Sequence, residues 1–153
     1  MEVDWGSSSA LFEDTFRVTG IDTEGKAFQK ITRIEATSEM YEVQLTLDVH
    51  NELYPIQQGE VHSLALVSTI SADGRDDKGI FVPHETLASP TLAKFDYCMY
   101  GRIFRFKEEK QGQISIACSF GGLLMTLKGS ASDLRQLELD SNVYLLMKRF
   151  KTI

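Results

Sequence analysis

The amino-acid sequence predicts an all-β protein, an antiparallel OB-like barrel of about eight strands with one short helix and a long central loop. Three observations carry that expectation. Apolar and polar residues alternate with a period of two along most of the chain, the connections are short and rich in turn formers, and helix signals gather in one place only. With 153 residues the chain has the length of one domain, at roughly 100–200 residues each, and a core of that size folds without a disulfide or metal staple. The expected division is a flexible tail over residues 1–9 and a single barrel domain over 10–153.

Residues 1–9 are small and polar apart from Val3 and Trp5, which suits a frayed end. The first strand is read from Phe12, Phe16 and Val18 on one face and Glu13, Thr15 and Arg17 on the other, with Asp14 falling on the apolar side. A second segment over 28–36 has Phe28, Ile31 and Ile34 spaced by three, which a bulge would reconcile with a strand. The plainest alternation follows: Tyr41, Val43, Leu45, Leu47 and Val49 against Glu42, Gln44, Thr46, Asp48 and His50. Leu64, Leu66 and Ile70 mark a fourth strand. Tyr97, Met99 and Ile103 oppose Asp96, Tyr100 and Arg102 in a fifth. Ile114, Ile116, Cys118 and Phe120 oppose Ser115, Ala117 and Ser119 in a sixth, and residues 123–127 and 143–150 complete the set.

Turn chemistry supports the divisions: Asp22-Thr-Glu-Gly25, Thr37-Ser-Glu39, Leu53-Tyr-Pro-Ile-Gln-Gln-Gly59 and Lys110-Gln-Gly112 each separate two strands. Helix is expected only over 130–137, where Ser130 and Asp133 match a capping box and Leu134 and Leu137 follow as a short stripe. Residues 72–92 hold Asp73-Gly-Arg-Asp-Asp-Lys-Gly79, Pro83 and Pro90 with few apolar anchors, and are read as a mobile loop. Such strands must hide their edges, and a barrel does so by closure; periodicity alone does not separate it from a two-sheet sandwich.

The chemistry is sparse. Sixteen Lys+Arg against twenty-two Asp+Glu give a formal charge of −6, which weakens any general attraction to a phosphate backbone. Cys98 and Cys118 lie in separate strand-like runs, not in a C-x-x-C clip, and are read as buried thiols of a reducing compartment. His50, His62 and His84 share no ligand spacing and are read as solvent-facing, so no metal or other cofactor is expected. The acids over 73–77 lack the calcium-loop spacing. No stretch reaches the ~18 apolar residues of a membrane helix, and residues 1–9 lack the order of a secretory signal, so an intracellular protein is expected. No catalytic residue is assigned.

Two features stand out locally. Gly121-Gly122 separates two extended runs, as a hairpin turn or bulge, and its bare backbone would let another chain approach closely. Between Tyr97 and Lys107, aromatic and basic residues interleave; Arg102, Phe104, Arg105 and Lys107 there form the set that a single-stranded nucleic-acid groove would use. That set defines the alternative reading, an oligonucleotide-binding OB-type module.

Three blocks narrow the choice. Tyr97-Cys-Met-Tyr-Gly-Arg102, Ser119-Phe-Gly-Gly-Leu-Leu-Met-Thr-Leu127 and Asp140-Ser-Asn-Val-Tyr-Leu-Leu-Met-Lys-Arg149 closely resemble the small subunit shared by eukaryotic nuclear RNA polymerases I, II and III, the eighth in conventional order. Leu11-Phe-Glu-Asp-Thr-Phe-Arg-Val18, the Asp22-x-Glu-Gly-Lys26-x-Phe28 pattern, Leu47-Asp-Val49 and Tyr54-Pro55 are similar to the first half of the same family. Cys98 stands where that family usually has an aliphatic residue, and the N-terminal extension is longer than its pattern. The resemblance implies an OB-like barrel with no catalytic role, docked on the largest polymerase subunits in the nucleus.

On that reading the docking surface is expected from Tyr97, Tyr100, Gly101 and Arg102, from Gly121, Gly122, Leu123, Leu124 and Met125, and from Tyr144, Lys148 and Arg149. Tyr and Arg are favoured interface anchors, strand-borne side chains need little further ordering, and glycine permits close backbone contact.

Overall fold

The computed structural model describes residues 10–23, 25, 29–68 and 95–150. The expected tail over 1–9 and the expected loop over 72–92 lie outside the described residues, as do Phe28, Ile70 and His84. Eight strands follow in chain order: β1 (Ala10–Ile21), β2 (Ile31–Ser38), β3 (Gln44–His50), β4 (Val61–Val67), β5 (Tyr97–Glu108), β6 (Gln113–Phe120), β7 (Leu123–Ser130) and β8 (Asn142–Arg149). They form a closed barrel in the order β1-β2-β3-β7-β6-β5-β8-β4, and every neighbouring pair is antiparallel. The all-β barrel expected from the alternation is therefore present, and closure of β4 onto β1 joins the two ends of the sheet.

Inside the ring, alternate residues of each strand make one core. Leu45, Leu47 and Val49 of β3 meet Leu64 and Leu66 of β4, Ile116 and Cys118 of β6, Met125 and Leu127 of β7, and Val143, Leu145 and Met147 of β8. Burial of side chains this size is worth roughly 1.5–3 kcal/mol each, so the alternation is also the main source of stability. β4 and β8 depart from it, being buried on both faces. Their outward residues Ala65, Val67, Tyr144 and Leu146 make a second cluster outside the barrel, against which Ala10, Phe95, Cys98 and Tyr100 pack. The two cysteines thus sit on opposite sides of the wall, and both are free thiols. Burial pushes each thiol up to about 12.

Several sequence expectations need correction. The helix expected over 130–137 does not form: Ser130 ends β7, and its hydroxyl engages the Ser132 N–H (3.2 Å) and hydroxyl (2.8 Å). The Leu134 N–H reaches the Ser130 carbonyl (3.2 Å), but the next bond runs from Leu137 N–H to Leu134 O, so one turn closes and no helix propagates. Leu134 and Leu137 are nevertheless buried, held in the core as part of a turn. Among the described residues the only helical element is the 3-10 turn Lys110–Gly112. The bulge expected in the second strand lies opposite it, in β1, between Val18 and Gly20. In β2 the inward residues are Thr32, Ile34 and Ala36, spaced by two.

The polar residue on the apolar side of β1 has a reason. Asp14 is buried, and its carboxylate accepts the N–H groups of Thr15 (2.6 Å), Met40 (3.2 Å) and Tyr41 (3.0 Å). Those donors belong largely to the β2–β3 turn, so Asp14 ties that turn to β1.

Candidate functional site

The Gly121-Gly122 pair forms a two-residue hairpin loop between β6 and β7, with Phe120 paired to Leu123. Both glycines have positive φ, +64° and +102°, the requirement of the turn whose twist matches a hairpin. A Cβ at either position would meet nothing within 4 Å, so their hydrogens face open space. Leu123 is half-buried against the core, Leu124 is 41% exposed, and Met125 is fully buried inside the barrel.

The turn is anchored from an unexpected direction. Asp48 of β3 is only 6% exposed; its carboxylate accepts the Leu124 N–H (3.0 Å) and grips Arg33 by Nε (2.7 Å) and Nη2 (3.1 Å). A bidentate guanidinium–carboxylate pair fixes an orientation as well as a charge. Asp48 therefore positions the backbone of Leu124 across the β3–β7 seam. Sequence reasoning missed it, because alternation assigns Asp48 to a solvated face and carries no signal of the strand that lies beside it.

β5 and β8 bring further expected residues to the same end. Tyr100 pairs with Tyr144, Gly101 with Val143, and Arg102 with both Asn142 and Ser119. Tyr144 is buried and Tyr100 half-buried, their rings 4.7 Å apart at 48°. Gly101 has a steric role: an added Cβ would come within 2.6 Å of the Phe120 ring and 2.9 Å of the Phe120 Cα, on the residue just before the glycine turn. Arg102 is exposed, 3.4 Å from Asp140.

Tyr97, Lys148 and Arg149 stand apart from this group, at the other end of β8. Seven residue steps separate the ends of that strand, roughly 23 Å at 3.3 Å per residue. Here Tyr97 is buried and stacks on Tyr54, centroids 4.9 Å apart and planes 6° from parallel. Its hydroxyl accepts the His50 N–H (3.2 Å) and donates to the Met99 sulfur (3.2 Å). Arg149 lies over the Tyr54 ring at 4.8 Å, reaches the Pro55 carbonyl, and stands 3.6 Å from Glu60. Lys148, paired with Ser63, is half-buried.

Next to this stack is His62, which corrects the solvent-facing expectation: it is 1% exposed. Its Nδ1 faces the Tyr54 hydroxyl at 2.7 Å and its Nε2 faces Glu60 at 3.2 Å. With a carboxylate at Nε2, the arrangement fits a neutral ring protonated there and accepting from tyrosine at Nδ1. Burial lowers the His62 pKa, and the Glu60 contact only partly opposes it. Burial alone would raise Glu60, but the Gln57 N–H, His62 and Arg149 together bring its carboxyl below the usual value. Burial raises the Tyr54 hydroxyl. This corner is a packed polar cluster on β4, β5, β8 and the loop before β4, in which the buried Arg149 Nε makes no hydrogen bond among the described residues and stands 3.6 Å from the Glu60 carboxylate. Nothing in the His62 spacing announces it.

The alternative nucleic-acid set lies on the far half of β5. Phe104 and Lys107 are exposed, and the Arg105 guanidinium is 5.9 Å over the Phe104 ring. Arg102, the fourth member of the set, stands instead beside Asp140, and Tyr97 and Tyr100 do not offer open stacking faces. Among the described residues no group of three His, Cys, Asp or Glu could hold a metal ion.

Comparison with known proteins shows the family. The family model described as RNA polymerase Rpb8 matches residues 13–149, which runs from β1 to the last residue of β8. A Dictyostelium discoideum protein named as DNA-directed RNA polymerases I, II, and III subunit rpabc3 is 41% identical over 145 residues, covering 93% of this chain and 99% of that protein. An Arabidopsis thaliana protein named as subunit 8B of DNA-directed RNA polymerases II, IV and V is 40% identical over 146 residues, 94% of this chain and 98% of its own length. One from Caenorhabditis briggsae, named as a probable subunit RPABC3 of polymerases I, II, and III, is 36% identical over 143 residues, 91% and 95%. With the matched segment spanning the whole barrel, including the glycine turn and the Arg149 corner, the chain belongs to the RNA polymerase Rpb8 family.

Proposed function

We propose that this chain is a non-catalytic subunit common to the nuclear DNA-directed RNA polymerases I, II and III, held by protein–protein contact on their largest subunits. The observation that carries the reading is the near-complete overlap with relatives named as shared polymerase subunits, 93% of this chain against 99% of the Dictyostelium protein. The surface most suited to the contact is the β6–β7 turn with its neighbours on β5. Gly121 and Gly122 put no side chain over the turn and have open space where one would stand, Leu124 supplies an exposed apolar group, and Arg102 and Tyr100 flank it. Met125 and Tyr144 would act by holding those strands, and Tyr97 by holding the far end of β5. Lys148 and Arg149, at the far end of β8, would form a separate contact.

The test is affinity purification of a tagged full-length chain from eukaryotic nuclei. Recovery of the largest subunits of all three polymerases is expected; their absence would sink the reading. The exposed Phe104, Arg105 and Lys107 favour one rival, direct single-strand binding. Titration with fluorescent single-stranded DNA and RNA at about 50 mM and about 200 mM salt separates the two, since a rival of that kind loses affinity steeply with salt.

A further inference from the structure

We infer that residues 104–108 of β5 form an open strand edge that takes up an extended, acidic segment of a partner polypeptide as an added strand. β5 pairs with β8 only as far as Arg102 and Asn142, and the bonds from Asp140 N–H to Ile103 O (2.8 Å) and from Ile103 N–H to Ser141 O (3.0 Å) finish that side. Its other side pairs with β6 out to Glu108 and Ile114, where the Glu109 N–H bonds the Gln113 carbonyl (2.8 Å). Antiparallel bonding alternates. Lys107 and Arg105 therefore spend their backbone groups on β6, and the N–H and C=O of Phe106 and Glu108 point away from it. Among the described residues no strand pairs with them there.

The side chains say what would fit. All five residues from 104 to 108 are exposed, a run that no other described strand has, with Phe104 at 45% and Phe106 at 40%. Arg105 and Lys107 share one face, and Phe106 lies on the other with Glu108. A second copy of this chain is a poor occupant, because antiparallel pairing centred on Phe106 sets Arg105 directly opposite Lys107, like against like. A strand with acidic groups facing Arg105 and Lys107, and an apolar one facing Phe106, turns that repulsion into attraction while satisfying the outward backbone groups. The charges, with the bulge between Ile103 and Arg105, also protect the edge until such a segment arrives.

The inference rests on the reading of this chain as an assembly subunit, and hydrogen exchange separates the two. The Phe106 and Glu108 amides are compared in the isolated chain and in polymerase purified through the tagged full chain. Slowing of roughly tenfold or more on assembly is expected. Unchanged exchange at both amides, in a chain that still brings down the polymerase, overturns the added strand and leaves the subunit reading intact; a wild-type chain that recovers no polymerase overturns that reading first. Protection that rises with the concentration of the isolated chain, or that appears on adding single-stranded oligonucleotide, overturns the choice of occupant. Phe106→Pro removes an outward N–H and should keep the thermal unfolding curve while lowering recovery of the polymerase about tenfold. Should that variant unfold, the Arg105→Glu/Lys107→Glu pair leaves the backbone unaltered and should lower recovery as much. Full recovery with that pair overturns the proposal.

Discussion

The Arg149 corner and the Gly121-Gly122 turn are both parts of the family blocks, yet they are built on opposite plans. At the corner the polar side chains turn inward onto one another: His62 between Tyr54 and Glu60, Tyr97 between His50 and Met99, Arg149 over a ring and on a carbonyl. At the turn no described atom stands within 4 Å of where a Cβ would sit on either glycine, the Gly122 N–H bonds the Ser119 hydroxyl (3.2 Å), and Asp48 anchors Leu124 from behind. The lesson is that residues characteristic of a family divide into those that make the wall and those that it displays. Burial and partners tell them apart.

That division can be broken first at Gly101. Gly101→Val drives a side chain into Phe120 beside the turn, and overpacking of this kind costs about 3 kcal/mol, enough to lower the thermal midpoint of the isolated chain and to remove assembly with it. Asp48→Ala comes next. It leaves Arg33 without its bidentate partner and the Leu124 N–H without an acceptor, a loss of about 2 kcal/mol in chemical denaturation, with Asp48→Asn intermediate. Gly122→Val tests the display side. Nothing stands in the way of the new side chain, but a β-branched residue at φ +102° is strained by about 1–2 kcal/mol, so the barrel should persist while polymerase recovery falls. Leu124→Glu is the smallest change to the isolated fold, within about 0.5 kcal/mol, and should still weaken recovery. A loss of stability at Leu124 to match that at Gly101 would abolish the distinction.

The corner makes its own prediction in pH. His62 has a folded pKa below its unfolded value near 6.5, so the unfolded chain takes up the proton first. Stability is full above that value and is lost as pH falls from about 6.5 toward the folded pKa of His62. Glu60 is also depressed, and adds a second loss in the same direction below its ordinary 4.5. His62→Gln should flatten the first segment of a stability-against-pH curve and shrink the second without abolishing it, since the Gln57 N–H and Arg149 still act on Glu60. A wild-type curve level through the first window would show that His62 is accessible to protons in the fold.

Much of the barrel could be read without coordinates, because β3 and β6 are paired on both sides but buried mainly on one face, and alternation records that directly. The glycine turn was also legible, since two adjacent glycines between extended runs fit few other geometries. The helix expected over 130–137 failed because a capping pattern is local, whereas Leu134 and Leu137 are held by the core they enter. The expected docking set split into two ends of one strand because a list of residues along a sequence carries no record of where register sets them. Asp48 and His62 were read as solvated for the same reason.

Alternation along one chain settled that there are strands, which face of most is apolar, and where several of them turn. It did so through a purely local rule, that successive side chains leave opposite faces. What only the folded molecule decided is which strands lie side by side: β3 against β7, β5 against β8, β4 against both β8 and β1. Those contacts join residues far apart in sequence, and it is they that bury Asp48 against the turn, close His62 into its corner, and leave the last residues of β5 with one side unpaired among the described residues.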